Sequence, residues 1–244
     1  MVEEILPKRW CKMAYKGYEN PQLVISAEEL KTILDDETYC IVDTRPTHEY
    51  IQGHIPGALH LDLFGLSLIN THRKPLDTFM WMIAYLFQQR GLDSRKTIIW
   101  YDNISGIYAS RGFWFCEYLG HSKTRLLDGG FKAWLAADGP VSTEGVEPPD
   151  VPQFPIETVR ELHMEAYVID ANLTQEDFVP LDTRTDDEHY GRVARAERAG
   201  AIPKSIHIEW VNNLDEEGAF KPASELKEMY EAAGITPDKR VMCY

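Results

Sequence analysis

Two stretches of this chain read as copies of one another, and a repeat constrains a fold strongly because each copy must bury the same pattern in the same way. Val42-Asp43-Thr44-Arg45 recurs as Leu181-Asp182-Thr183-Arg184. Each is followed by an acidic or histidine residue and a tyrosine, Glu49-Tyr50 in the first copy and His189-Tyr190 in the second. GHIPGALHLD, Gly53 to Asp62, is matched by GAIPKSIHIE, Gly200 to Glu209. Gly91-Leu92 leads through Lys96 into Ile98-Ile99-Trp100-Tyr101, and Gly234-Ile235 leads through Lys239 into Val241-Met242-Cys243-Tyr244. One eight-residue insertion, Arg192 to Ala199, breaks the correspondence.

The periodicity inside each copy alternates between strand and helix. Tyr39 to Asp43 and Thr97 to Tyr101 are short apolar runs of the kind buried in parallel sheets. Ser26-Ala27-Glu28-Glu29 has capping-box spacing and predicts a helix to about Leu34. Phe79, Met82, Ile83 and Leu86 share a helical face that Gly91 closes, and Leu226, Met229, Tyr230 and Ala233 repeat this before Gly234. The expected class is α/β: two domains, each a mostly parallel sheet flanked by helices, the second incomplete at its C-terminus. Four prolines in TEGVEPPDVPQFP block both helix and central strand. The predicted division is therefore a domain over 1–142, an extended linker over 143–155 and a domain over 156–244.

A net charge of -14 argues against a nucleic-acid partner, which needs a basic stripe, and leaves any anionic substrate to a local field. The opening MVEEILPKRW lacks the apolar core of a signal peptide, and no run approaches membrane-span length. Cys11, Cys40, Cys116 and Cys243 show no CxxC spacing, which speaks against a zinc knuckle and a disulfide framework. A reduced, cytoplasmic protein is expected.

Chemistry in an open α/β sheet gathers beyond the carboxyl ends of the strands. Thr97 to Tyr101 ends in Asp102-Asn103-Ile104-Ser105-Gly106 and then a helix carrying Ala109 to Leu119. Loop amides and a helix N-terminus converging there make an anion cradle, in which a thiol at the first loop position would ionise and attack sulfur. Here that position is Asp102, a poor sulfur nucleophile, so the first copy is expected to be inert with Asp102 as a loop anchor. The matching residue of the second copy is the one directly after Tyr244.

These residues resemble the tandem two-domain form of the rhodanese sulfurtransferases. The resemblance covers nearly the whole chain and is carried by Leu127-Asp128-Gly129-Gly130-Phe131-Lys132-Ala133-Trp134, by GHIPGA at Gly53 to Ala58 and by the two Asp-Thr-Arg strand ends. It implies a C-terminal catalytic domain whose strand ends in a Thr-Tyr-Cys-like pattern, with Cys243 and Tyr244 matching the first two positions. It further implies transfer of a sulfane sulfur from thiosulfate or 3-mercaptopyruvate, through a cysteine persulfide, to cyanide or a thiol. The resemblance implies no cofactor and an inactive N-terminal domain with Asp at the Asp102 position. It also implies that Arg184 lies near the reactive sulfur and holds the anionic donor. Arg45 occupies the same place in the first copy, which favours a structural role shared by both.

Cys243 falls inside a predicted strand and is read as a buried, inert thiol, like Cys40 and Cys116. His54, His60 and His207 have no clustered partners and are read as core or turn residues, not metal ligands. Trp81, Trp100, Trp114, Trp134 and Trp210 are assigned to core elements. Ala201 and Lys204, standing where the first copy has His54 and Gly57, predict an altered backbone in that turn. Two other readings compete: a catalytically inactive binding or regulatory module, and a cysteine phosphatase or arsenate reductase with a longer loop.

Overall fold

A computed structural model describes residues 15–68 and 70–244; MVEEILPKRW and Cys11 lie outside the described residues. In the first half, β1 (Val24–Ile25), α1 (Ala27–Thr32), β2 (Tyr39–Asp43), α2 (Thr47–Tyr50) and β3 (Leu59–His60) precede α3 (Arg73–Gln89). They are followed by β4 (Thr97–Tyr101), α4 (Ile107–Tyr118), β5 (Thr124–Leu127) and α5 (Gly130–Ala136). The second half contains α6 (Ala166–Asn172), β6 (Phe178–Asp182), α7 (Asp186–His189), β7 (Ile206–His207), α8 (Ala223–Ala232) and β8 (Arg240–Cys243). Two wholly parallel sheets result, ordered β1-β5-β4-β2-β3 and β7-β6-β8. The second order reproduces the β3-β2-β4 portion of the first.

The apolar runs of β2 and β4 feed both faces of the first sheet. Cys40, Val42, Ile98 and Trp100 face a core closed by α3 and α4, while Ile41, Ile99 and Tyr101 face one closed by α1 and α5. In the second half Val179 and Leu181 pack with Ile208, Ile235 and the Met229 and Tyr230 side chains of α8. Pro180 is tolerated at the centre of β6 because of its register. Leu181 and Thr183 bond toward β8, whereas Asp182 bonds toward the β7 side, so the Pro180 nitrogen faces that side before β7 begins.

Both five-residue strands fall where the sequence predicts them, and Ser26 caps α1 by accepting from Glu29 N at 3.1 Å. Helix α3 is rotated by about one position from the predicted face: Leu76, Met80, Ile83, Ala84 and Phe87 are buried, whereas Met82 is exposed. Trp81 is also exposed, stacked on Tyr85 across the solvent face, so it is not a core residue. Lys204 keeps the backbone of its counterpart: its φ of 65° lies with the 75° of Gly57, and its ammonium donates to Leu173 O at 2.9 Å. The left-handed conformation is therefore kept at this position despite a side chain that disfavours it, whereas the start of the turn is altered as expected: Gly200 has a φ of 91°, and its counterpart Gly53 has no positive φ. The insertion at 192–199 is irregular and wholly exposed.

The proline-rich segment over 143–155 holds no helix or strand, and it is packed against the first half. Phe154 is fully buried against the edge of Phe87, ring centroids 5.1 Å apart, and Val151 is buried beside it. Glu157 N and Val159 N donate to Leu119 O and Tyr118 O, which satisfies carbonyls at the end of α4. Truncating Phe154 to alanine removes most of a buried aromatic side chain and is expected to destabilise the first half by about 3 kcal/mol. Urea unfolding followed by tryptophan fluorescence measures this; an unchanged midpoint would show that the segment is only a tether.

Candidate active site

The carboxyl ends of the two sheets carry the same hydrogen-bond network. Asp43 and Asp182, both fully buried, each accept from the guanidinium two residues on: Arg45 Nη2 at 2.7 Å and Arg184 Nη2 at 2.6 Å. The same nitrogens donate to Gly53 O (2.7 Å) and Gly200 O (2.9 Å), tying the strand end to the turn before β3 or β7. Thr44 and Thr183 each donate a hydroxyl to the carbonyl of Tyr101 or Tyr244, at 2.8 and 2.9 Å. The tyrosine hydroxyls in turn accept from Ile55 N and Ile202 N. His60 and His207 donate Nε2–H to Arg45 O and Arg184 O, both at 2.9 Å.

The networks differ at the carboxylate. Tyr101 donates its hydroxyl to Asp43 Oδ2 at 2.5 Å, whereas Asp182 Oδ2 accepts from His189 Nδ1 at 2.9 Å. His189 stacks on His207 as Tyr50 stacks on His60, with centroids 4.2 and 4.6 Å apart. His189, and not Tyr190, therefore occupies the place of Tyr50, and Tyr190 is exposed. Together Arg184 and His189 hold the Asp182 carboxyl well below the usual range, against the opposing effect of its burial.

Beyond Tyr101, loop 102–106 folds around the Asp102 carboxylate. Oδ1 accepts from Asn103 N at 2.7 Å and Oδ2 from Tyr108 N, in the first turn of α4, at 3.3 Å. The anion cradle is thus occupied by the loop's own side chain. Burial pushes the Asp102 carboxyl up, and Asp43 and Glu49 add to the push against the pull of the two amides. The Asp102 and Asn103 carbonyls accept from Phe131 N and Lys132 N, which join the loop to α5. Gly130 permits that approach, since a Cβ there would fall 2.4 Å from Asp102 O.

The halves meet along this loop. A turn at 214–220, closed by the Leu214–Phe220 bridge, lets Gly218 O accept from Ser105 N at 2.8 Å. Gly218 needs both its φ of 82° and its missing side chain, because a Cβ would lie 2.4 Å from Ile104. Asp128, 2% exposed, is the hub of the seam. It accepts from Ser105 Oγ (3.0 Å), Phe220 N (2.7 Å) and Tyr15 OH (2.9 Å) and pairs with Lys16 Nζ at 2.8 Å. Beside the seam opens a cleft of about 270 Å³, with Ser105, Ile107 and Ser110 on one wall and Thr183, Trp210 and Asn213 on the other.

Residues 26–137 match the family model of the rhodanese-like domain. The chain is 32% identical over 212 residues to a putative thiosulfate sulfurtransferase of Saccharopolyspora erythraea, covering 81% of this chain and 72% of that one. The chain belongs to the rhodanese family. The sulfur carrier protein TtuD of Thermus thermophilus is 27% identical over 243 residues, covering 93% of this chain and 84% of that protein. The rhodanese fold is shared with SseA of Escherichia coli, described as a 3-mercaptopyruvate sulfotransferase, at a TM-score of 0.78 and 24% identity over 91% of this chain and 87% of that one. It is shared as well with the anaerobic ergothioneine biosynthesis enzyme of Chlorobium limicola, at a TM-score of 0.78 and 21% identity. That match covers 93% of this chain, which spans about three-fifths of the enzyme, 61% of its length.

None of the cysteines described in this rhodanese has the environment of a sulfur nucleophile. Burial lifts Cys40 to about 11 and Cys116 further still. Cys243 lies in β8, as predicted, but is exposed and not buried; desolvation by its neighbours nonetheless raises its thiol above the ordinary range. His54, fully buried, bonds to Tyr50 O and Glu144 O, and no metal-ligating cluster occurs among the described residues. Trp210 is half-buried and lines the cleft, where the sequence assigns it to a core element. The seam residues went unassigned in the sequence, although Asp128 stands inside the LDGG segment. A buried acid next to two glycines was the available signal.

Two measurements check this geometry. Asp102 has a raised folded pKa, so its ionised form opposes folding and stability falls as pH rises through that pKa. Replacing it by asparagine is expected to favour the variant in unfolding free energy increasingly as pH rises above the ordinary aspartate range of about 3.9; a difference that is flat with pH would contradict the burial of a charge. Asp128→Ala leaves two hydroxyls, an amide and an ammonium without their acceptor and is expected to cost about 2 to 3 kcal/mol. Faster hydrogen exchange at Ser105 and Phe220 distinguishes an opened seam from general loosening.

Proposed function

We propose that this rhodanese transfers sulfane sulfur from an anionic donor, thiosulfate or 3-mercaptopyruvate, to a thiophilic acceptor such as cyanide or a thiol. The nucleophile is a cysteine in the position after Tyr244, and the second half, 156–244 extended through that cysteine and its loop, is the catalytic domain. The half over 1–142 is inert scaffold, joined through 143–155. One observation carries the reading: the Thr183–Tyr244 and Arg184–Gly200 bonds repeat those beneath Asp102, so the next position is the counterpart of the cradle that Asp102 fills. The names of the relatives agree with it.

In the cradle a thiolate attacks the outer sulfur of thiosulfate. The new S–S bond forms as the old one breaks, and sulfite leaves with the electron pair. Cyanide then attacks the outer persulfide sulfur, releasing thiocyanate and restoring the thiolate. Loop amides stabilise the anionic sulfur throughout. Arg184, whose guanidinium carbon lies 4.9 Å from the Tyr244 ring centroid, keeps a positive charge at the donor's approach while clamping Asp182. The cleft beside Thr183 and Trp210 is the route for donor and acceptor.

The full-length protein should form thiocyanate from thiosulfate and cyanide, and changing the residue after Tyr244 to serine should abolish it. Absence of thiocyanate from the unmutated protein would favour a binding or regulatory module, and turnover of an aryl phosphate would favour a phosphatase.

A further inference from the structure

Helix α3 carries apolar residues on both of its faces. The inner face buries Leu76, Met80, Ile83, Ala84 and Phe87, while the outer face presents Trp81, Met82 and Tyr85 to solvent, with Trp81 57% and Tyr85 52% exposed. From Thr78 to Gln89 no residue is charged, in a chain whose net charge is -14. A helix on a protein surface ordinarily turns charged and polar residues outward, and one that is apolar all round is buried. The Trp81 and Tyr85 rings lie 9° from parallel with centroids 6.0 Å apart, a rigid shelf that loses little freedom on being covered. Between this shelf and the proline-rich segment runs a groove of about 220 Å³, lined by Trp81, Ala84, Tyr85, Gln88 and Gln153.

We infer that this face pairs with the same face of a second copy of the chain, the two α3 helices running antiparallel across a twofold axis near Ile83. An axis at that height sets Trp81 against the partner's Tyr85 and Thr78 against the partner's Gln88, and it lets a ring of each copy enter the groove of the other. Charge selects both the occupant and its direction. At the N-terminal end of α3 the cations Arg73, Lys74 and Arg160 outnumber the anions Asp77 and Glu165. At the C-terminal end a Cβ on Gly91 would fall 2.4 Å from Pro149 Cδ, so Glu147 and Asp150 are carried there with Pro149. They outnumber Arg90, while Arg95 offsets Asp93, and the last carbonyls of the helix add partial negative charge. The 17-residue helix is about 25 Å long, so antiparallel pairing brings each positive end beside the partner's negative end. Parallel pairing would set like ends together. Two copies of so acidic a chain repel one another, and an uncharged face with complementary ends escapes that repulsion. One helix face and its neighbouring segment make a small interface, so the dimer is weak, with a Kd on the order of 10 µM.

The test is sedimentation velocity of the full-length protein at low salt, over concentrations of about 1 to 200 µM. The wild-type protein is expected to pass from monomer to dimer within that range. Trp81→Glu puts a charge at the centre of the face without touching the buried side of α3, and it is expected to raise Kd about tenfold or more. Lys74→Glu should raise Kd about fivefold, and adding Asp150→Lys to it should restore the wild-type value, because the two positions meet only across the antiparallel pair. Circular dichroism identical to wild type checks that each variant is folded. A protein that stays monomeric throughout, a dimer indifferent to Trp81→Glu, or a double variant as weak as Lys74→Glu alone would each overturn the proposal. A monomer in which acrylamide fails to quench Trp81, read against Trp81→Phe, would overturn it by placing another segment of the same chain over the face.

Discussion

The clamp between an aspartate at the end of a strand and the arginine two residues later sets the geometry of both halves. A buried carboxylate is unstable without a partner, and breaking such a pair costs about 3 kcal/mol or more. The Asp-x-Arg spacing supplies the partner from the same strand end. The guanidinium then has a donor to spare, and it directs that donor to a glycine carbonyl of the following turn, Gly53 or Gly200. One ion pair therefore fixes three things at once: where the central strand stops, how the chain returns to the edge strand, and which way the neighbouring tyrosine points. Tyr101 and Tyr244 complete the frame by accepting from the turn and being held through their carbonyls by a threonine. The loop after each tyrosine starts from a rigid platform.

Most of that frame was legible because it is written twice. The strands β2 and β4 are continuous apolar runs, and their burial on both faces follows directly from the parallel arrangement. The turn at Lys204 shows how firmly the repeat dictates backbone: the glycine is gone, yet a left-handed φ remains. Side-chain pairing was less legible. An aromatic at Tyr50 and another at Tyr190 suggest equivalence, but counting from the clamped aspartates places His189 opposite Tyr50, and the stacking on His60 and His207 decides it. The copies also differ in length beyond this point, with 31 positions from His60 to Gly91 and 27 from His207 to Gly234, and α8 is shorter than α3. The α3 face was misjudged by one position because its aromatic residues are dense enough to offer two stripes.

What sequence patterns could not reveal is contact between distant segments. The seam joins Tyr15, Lys16, Ser105, Asp128 and Phe220, which share no periodicity; Lys16 and Phe220, bonded directly, are 204 positions apart. Asp128 belongs to a familiar family segment, so it is easily taken as a mark of the fold and no more. Its four partners give it a more specific task. A buried carboxylate with acceptors to spare is well suited to join an N-terminal segment, a loop and a turn, because it can be satisfied only when all of them are in place.

The filling of the first half's cradle by Asp102 can be seen as part of the same construction. An empty cradle of amides is an unsatisfied arrangement that a ligand completes, and a loop that waits for a ligand has reason to move. Filling the cradle with Asp102 removes that freedom: the loop is held by its own carboxylate, by α5 through Phe131 and by the second half through Gly218. The cost is a buried charge that no cation pairs with among the described residues. That cost is bounded, because the carboxyl can take up a proton and because two amides offset much of the burial. The gain is one stationary wall for the cleft, with Ser105 and Ile107 held against Trp210 and Asn213. One copy of the cradle is thus used as structure, filled by the loop's own side chain and closed against α5 and the 214–220 turn.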